Sequence, residues 1–190
     1  MRTRRSMFAL GVAAASICAL LQAPSASAGN FGGCNNGVSF PSCLANNSTH
    51  YMSYDLTSGW RTATESTRTQ SFETTDLTTI LTVHDSSDVH YYVETTAGAS
   101  YIGKYFCATW GPSGICNHAH VAYNGPNGSG LSTSDLQSVA CHETGHSVGL
   151  RHPEDSNLPD DPSVYQCMVV NGFPRFLGGH NADHINAYYN

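Results

Sequence analysis

The chain has 190 residues, of which only 12% are charged, and a formal net charge of −6 at pH 7. All 14 acidic residues follow position 28, where only five lysines and arginines accompany them, so residues 29–190 carry a net charge of −9. This acidic balance argues against a protein that binds nucleic acid or an anionic membrane surface.

Residues 1–28 have the organisation of a secretory signal peptide. A basic start precedes an apolar run over residues 7–21, and residues 26–28 read A-S-A, a small-residue cleavage pattern. The apolar run is too short for a membrane-spanning helix. We therefore expect a secreted, extracellular protein whose mature chain begins at Gly29 and has the length of one domain.

Six cysteines follow position 28, and an even number in a secreted chain predicts three disulfides. The sequence alone leaves every pairing open. Proximity along the chain favours three pairs: Cys34–Cys43, Cys107–Cys116 and Cys141–Cys167. The first pair predicts a disulfide-tied N-terminal extension over residues 29–48, followed by a main domain over residues 49–190.

Secondary-structure signals alternate along the main domain. β-Branched and aromatic residues predict strands over residues 49–56, 78–83, 89–95, 101–109 and 118–123. Helical spacing predicts helices over residues 60–75, over residues 133–148 and from residue 181 onward. The second helix has two candidate capping boxes, Ser132 with Asp135 and Ser134 with Gln137. The order of these elements predicts an α+β fold with a twisted mixed sheet of five strands and two long helices.

Residues 142–152 contain the most informative pattern, H-E-T-G-H-S-V-G-L-R-H. His142 and His146 are four residues apart and share one helix face, where two imidazoles can hold one zinc ion. Gly149 can adopt a positive φ and end the helix, which would bring His152 back as a third ligand. Three protein ligands leave one coordination position open, as in catalytic zinc sites.

Glu143 lies beside the first histidine and is placed to reach a water rather than the metal itself. A carboxylate in that position can act as a general base, so the pattern predicts a zinc-dependent endopeptidase that hydrolyses peptide bonds without a covalent intermediate. The predicted cofactor is a single catalytic Zn²⁺. The rival hypothesis that Cys141 or Cys167 binds the zinc is less favoured, because the three histidines already suffice.

The pattern resembles the signature of the metzincin clan of zinc endopeptidases, in which a methionine-containing turn follows the third histidine. Met168 stands at a fitting distance, and the resemblance implies that it lies beneath the zinc without binding it. It also implies a small C-terminal subdomain after His152. Val170, Phe173 and Pro174 resemble the segment that walls the pocket for the residue after the scissile bond.

Individual features are similar to different metzincin subfamilies. Pro153 after the third histidine resembles serralysins, and the A-C-H-E-T-G-H string resembles snapalysins, although those have aspartate in place of His152. The cysteine-containing latency motif of matrixins is absent. The resemblance therefore identifies the clan, and implies an edge strand near residues 101–109 along which a peptide substrate extends.

Other histidines offer weaker candidates. His84 and His90 flank an acidic segment that could hold a second metal, zinc or calcium, but a solvated turn is the favoured interpretation. His118 and His120 face the same side of a predicted strand and either lie on the surface or line the cleft. His180 and His184 form a predicted surface pair. A second Zn²⁺ or a structural Ca²⁺ is thus allowed by the sequence without being indicated by it.

The alternatives to a peptidase are a secreted zinc-binding interaction protein without activity and a zinc hydrolase acting on non-protein substrates. Glu143 argues against the first, because a site used only for binding does not need that base. A deep closed pocket would favour the second over extended peptides. We expect protein or peptide substrates, a monomeric chain, and neither nucleic-acid nor membrane partners.

Overall fold

The computed structural model of the protein describes residues 30–34, 43–96 and 98–190. The predicted signal peptide lies outside the described residues, as does much of the predicted N-terminal extension. Among the described residues, no helix combines the length and the apolar character needed to cross a membrane.

The described residues form one mixed sheet and five α-helices. The strands are β1 (Leu44–Ala45), β2 (Thr49–Asp55), β3 (Thr78–Leu81), β4 (Val89–Glu94), β5 (Gly103–Trp110) and β6 (Ile115–Asn124). The helices are α1 (Ser58–Thr67), α2 (Gly125–Gly128), α3 (Thr133–Ser147), α4 (Pro162–Tyr165) and α5 (Gly178–Tyr189).

The sheet is mixed, as predicted, but it has six strands among the described residues where the sequence predicted five. Strands β3, β2, β4 and β6 lie side by side in parallel, and β5 runs antiparallel against β6. The additional strand is β1, whose two residues pair with Ile115 and Cys116 at the start of β6. It lies within the predicted N-terminal extension and is too short for a periodic sequence signal.

The predicted long helices occur with shifted ends. Helix α1 begins two residues early and continues after Thr67 as a single π-helical turn over Arg68–Phe72, so the predicted 60–75 helix is shorter and interrupted. Helix α3 agrees closely with the predicted range. The last helix begins at Gly178, three residues before the predicted start.

Alternation along β4 and β6 gives the sheet two different faces. Val89, Tyr91, Val121 and Tyr123 are fully buried and pack against α1 and α3. Trp60 of α1 stacks on the Tyr123 ring at a centroid distance of 4.1 Å. Both helices therefore lie on one face of the sheet, and the alternate residues of the same strands point to the opposite face.

A second apolar cluster joins the end of α3 to the C-terminal segment. Val148, Leu150, Met168 and Ile185 are all fully buried and belong to this cluster. The segment after His152 consists of short helical turns and α5, and it packs beneath the C-terminal half of α3. All three predicted disulfides are present: Cys34–Cys43, Cys107–Cys116 and Cys141–Cys167.

Candidate active site

Helix α3 supplies three of the predicted functional side chains, and its first turn is fixed by a capping box. The Asp135 backbone N–H donates to Ser132 Oγ at 3.2 Å, and the Ser132 N–H donates to Asp135 Oδ2 at 3.2 Å. This is the first of the two capping boxes that the sequence allowed. The reciprocal pair satisfies two backbone donors that the helix itself cannot use.

The C-terminal end of α3 turns as the glycine predicted. Gly149 has φ of 99°, the Leu150 N–H donates to the Gly145 carbonyl at 2.9 Å, and the Gly149 N–H donates to the His146 carbonyl at 3.4 Å. These bonds form a Schellman motif, which satisfies carbonyls at the helix end. The chain reverses there and returns His152 to the other two histidines.

The three predicted ligands converge through their Nε2 atoms. His152 Nε2 lies 2.8 Å from His142 Nε2 and 3.2 Å from His146 Nε2. Two of the opposite ring nitrogens face backbone carbonyls, His142 Nδ1 at 2.8 Å from Cys167 O and His146 Nδ1 at 2.8 Å from Leu150 O. His152 Nδ1 lies 3.3 Å from Asp155 Oδ2.

These contacts orient the imidazoles for a metal. A carbonyl accepts from Nδ1–H, which leaves the Nε2 lone pair directed at the point where the three rings meet. Burial lowers the pKa of His142 to about 4 and that of His146 well below its usual value. Neutral imidazoles are the form that binds metals, so the donor set fits one zinc ion.

Glu143 lies beside this cluster and is almost completely buried, with 7% of its surface exposed. Burial raises the pKa of its carboxyl to about 8, opposed by a backbone hydrogen bond from Tyr105 of β5. The charged form of this carboxyl is therefore disfavoured unless a cation lies nearby.

Gly103 on β5 allows the strand to approach Glu143 closely. A Cβ at this position would lie 2.8 Å from both Cγ and Oε1 of Glu143 and 2.8 Å from Val139 Cγ1. Sequence analysis missed this residue, because an isolated glycine within a strand pattern signals a close backbone approach without naming the partner.

Met168 is fully buried beneath α3 and faces Gly145. A Cβ on Gly145 would lie 2.3 Å from Met168 Sδ, so the second variable position of the H-E-x-x-H string must be small here. The Cys141–Cys167 disulfide joins the residue before His142 to the residue before Met168. The methionine turn is thus linked to α3 both covalently and by packing.

A cleft of about 600 Å³ opens between β5, α3 and the segment after Met168. The three histidines and Glu143 line it, together with residues 100–105, Val139 and residues 169–173. Two of the predicted pocket residues, Val170 and Phe173, are part of this lining and are about half exposed. Pro174 is not part of the lining, although its carbonyl accepts a hydrogen bond from Ser138 Oγ at 2.9 Å.

The remaining histidine candidates fall into two groups. His118 and His120 do not line the cleft; they lie on the opposite face of the sheet, close to His84. His180 and His184 stack edge to face on α5, with ring centroids 4.7 Å apart. The structure therefore brings together residues that the sequence offered as separate candidates.

The sheet, the helix with two histidines and the returning third histidine define a metal-dependent peptidase. Residues 41–153, well over half of the chain, match the model of the reprolysin-like metallopeptidase family M12B. The chain belongs to this family. It lies within the metzincin clan, as the sequence resemblance implied, whereas the match does not support an assignment to the serralysin, snapalysin or matrixin subfamily.

Solved structures of myroilysin have a similar fold. One shares 12% sequence identity and a TM-score of 0.51, covering 77% of this chain and 95% of that chain. A second, also at 12% identity, has a TM-score of 0.52 and covers 78% of this chain and 86% of that chain. No curated protein matches the sequence.

Proposed function

We propose that the protein is a secreted zinc-dependent endopeptidase in which Glu143 is the general base. The observation that carries the proposal is the convergence of three histidine Nε2 atoms beside a buried carboxyl in an open cleft. Zinc fits this donor set, since tetrahedral zinc with nitrogen ligands at about 2.0–2.1 Å places neighbouring nitrogens about 3.3 Å apart.

His142, His146 and His152 would hold the zinc ion. When bound, zinc supplies Lewis acidity both to the carbonyl of a scissile peptide and to an attacking water. Glu143 takes the proton from that water and later delivers it to the leaving amine. The burial of Glu143 beside the three histidines supports this role, because it places the carboxyl in the same cleft as the proposed metal ligands.

The substrate would bind as an extended strand along β5. Among the described residues β5 pairs only with β6, so its other edge offers backbone donors and acceptors beside the cleft. Residues 100–105 form the cleft wall at the start of this strand. The geometry favours a peptide over a compact small substrate, since it offers a strand edge to an extended chain.

The part of the cleft between α3 and the segment after Met168 has apolar side chains. Val139, Val169, Val170 and Phe173 contribute to its lining. We infer a preference for a large hydrophobic side chain immediately after the scissile bond. A fluorogenic peptide series that varies only this residue should show Leu or Phe cleaved at least about 10-fold faster than Asp, because burying a charge there is costly.

The secretion proposal depends on the residues before the described part of the chain and on the cysteines. The first 28 residues have a signal-peptide pattern, and three disulfides fit an oxidising compartment. A monomer acting on protein or peptide substrates completes the proposal.

The decisive test is hydrolysis of casein and a fluorogenic peptide by wild type and Glu143→Gln, with zinc content recorded for each. We expect the variant to lose about 10²–10⁴-fold in rate while retaining zinc. Glu154→Gln, a change at an exposed glutamate after His152, is the matched control and should stay close to wild type. Full activity in Glu143→Gln, or no hydrolysis by zinc-loaded wild type, would contradict the proposal.

A further inference from the structure

A second group of histidines lies on the sheet face opposite α1 and α3. His118 and His120 are on β6, His90 is on β4, and His84 is in the 3₁₀ turn between β3 and β4. Register places His90 directly opposite His120 on neighbouring parallel strands. We call His84, His118 and His120 the outer histidine cluster.

Ring nitrogens of the outer histidine cluster converge. One ligating atom from each of the three residues lies within 4.8 Å of the others, and His118 Nε2 is 3.2 Å from His120 Nε2. That separation is close to the about 3.3 Å between neighbouring nitrogens in tetrahedral zinc coordination. It also equals the distance between His146 Nε2 and His152 Nε2 in the candidate active site.

Oxygen atoms behind the outer histidine cluster orient its rings. The Ser87 carbonyl lies 2.6 Å from His118 Nδ1, so the ring donates there and turns its Nε2 lone pair toward His120. Asp85 Oδ1 lies 3.2 Å from His84 Nδ1. The same pairing of carbonyl or carboxylate with the outward nitrogen holds the active-site histidines, and it is typical of metal-binding histidines.

His90 lies next to the outer histidine cluster. Its ring centroid is 4.0 Å from that of His84, and its Nδ1 lies 2.9 Å from Ser53 Oγ. Ser53 Oγ in turn donates to Ser87 Oγ at 2.9 Å, in the same loop that supplies the carbonyl for His118. Four histidines and their polar partners thus form one connected group rather than separate surface residues.

We propose that the outer histidine cluster is a second zinc site, structural in role and separate from the candidate active site. Imidazole nitrogens favour zinc over calcium, which prefers oxygen ligands. The ion would join the β3–β4 connection to β6. Strand β6 pairs with β5, the strand along which the substrate is proposed to bind. Phe106 of β5 packs against the His120 ring at a centroid distance of 5.1 Å, so this face also supports β5.

The test is zinc stoichiometry of the full chain carrying Glu143→Gln, which removes self-digestion, after dialysis against zinc and then buffer. We expect two zinc ions per chain. His118→Ala/His120→Ala should retain one, whereas His180→Ala/His184→Ala, a matched loss of two neighbouring histidines elsewhere, should retain two. Dialysis against calcium in place of zinc should load neither histidine site.

A second variant tests the outer site without the active-site ligands, and its thermal unfolding shows whether it is folded. His142→Ala/His146→Ala destroys the candidate active site, and we expect it to retain one zinc ion and to gain about 5–10 °C in Tm at zinc concentrations about 100-fold above Kd. One zinc in the Glu143→Gln chain together with none in this variant would overturn the outer site and leave the peptidase proposal intact. The outer rings would then be held by the hydrogen bond between His118 and His120 and by their contacts with Ser87 and Asp85, without a metal ion.

Discussion

The candidate active site and the outer histidine cluster use the same local chemistry on opposite faces of one sheet. In each, three imidazoles converge, and most of the outward nitrogens face a carbonyl or a carboxylate. They differ in what surrounds the ligands. The active-site histidines open into a cleft beside the buried Glu143, whereas His84 is exposed and, among the described residues, the outer group lines no part of that cleft. The comparison shows that the same arrangement of imidazoles can lie either in a cleft beside a buried glutamate or on the open face of the sheet.

Cys141–Cys167 lies beside the active-site histidines and Cys107–Cys116 joins β5 to β6, and removing these disulfides one at a time gives the largest expected effects. Cys141→Ala/Cys167→Ala should lower the free energy of unfolding by about 3.5 kcal/mol, and Cys107→Ala/Cys116→Ala by about 2.6 kcal/mol, since the first closes the longer loop. Urea unfolding measures both. Peptidase activity should fall mainly in Cys141→Ala/Cys167→Ala. An equal loss of activity in both variants would show that Cys141–Cys167 has no special role in the candidate active site.

Gly145→Ala tests the packing of Met168 beneath the active site. The new methyl group would overlap Met168 Sδ, and the methionine is fully buried, so we expect a loss of about 2 kcal/mol in the free energy of unfolding. Gly130→Ala is the control, because a Cβ there meets nothing within 4 Å. Equal Tm values for the two variants in thermal unfolding would show that the segment around Met168 moves to accommodate the new methyl group at little cost.

Gly103→Ala tests the role of the Glu143 carboxyl, which distinguishes the candidate active site from the outer histidine cluster. Its methyl group would press on Glu143 Cγ and Oε1 and on Val139 Cγ1. We expect kcat to fall about 10-fold, a barrier increase of about 1.4 kcal/mol, with zinc content unchanged. Loss of zinc in place of kcat would mean that β5 positions the ligands and not the base.

His50 is a buried histidine that belongs to neither the candidate active site nor the outer histidine cluster, so it serves as a reference for both. It lies on β2, its Nε2 is 3.1 Å from Ser147 Oγ, and burial lowers its pKa to about 4. Between pH 6.5 and 4 the unfolded chain binds a proton at this residue that the folded chain does not, so stability falls as pH decreases through this window.

We therefore expect His50 to lower the free energy of unfolding of the wild type by about 0.8 kcal/mol at pH 6 relative to pH 7.5. Urea unfolding of wild type and His50→Gln at the two pH values isolates this contribution from those of the other histidines. A wild-type-minus-variant difference that is independent of pH would show that His50 titrates normally in the folded state.

The grouping of the candidate active-site residues could be predicted from the sequence because their spacing is local. His142, Glu143, His146 and Gly149 belong to one helix and its end, where spacing alone fixes which side chains share a face. The disulfides followed from short separations, and β5 from its aromatic and β-branched residues. Pro174, predicted to line the pocket but absent from the cleft lining, shows the limit, because a loop has no period from which to assign its faces.

The outer histidine cluster could not be predicted for the opposite reason. His84 and His118 are 34 positions apart, and only the parallel pairing of β4 with β6 brings the loop beside the strand. The sequence gives the period of each strand but not its neighbours. Strand β1, two residues long, and the π-helical turn after α1 were missed because each is set by tertiary packing rather than by local preference.

The most direct test of the account is anomalous diffraction at the zinc absorption edge from crystals of Glu143→Gln. We expect two anomalous peaks on opposite faces of the sheet, one where His142, His146 and His152 meet and one within the outer histidine cluster. A single peak at the first position would remove the structural site from the comparison. The absence of a peak among His142, His146 and His152 would contradict the proposed zinc peptidase itself.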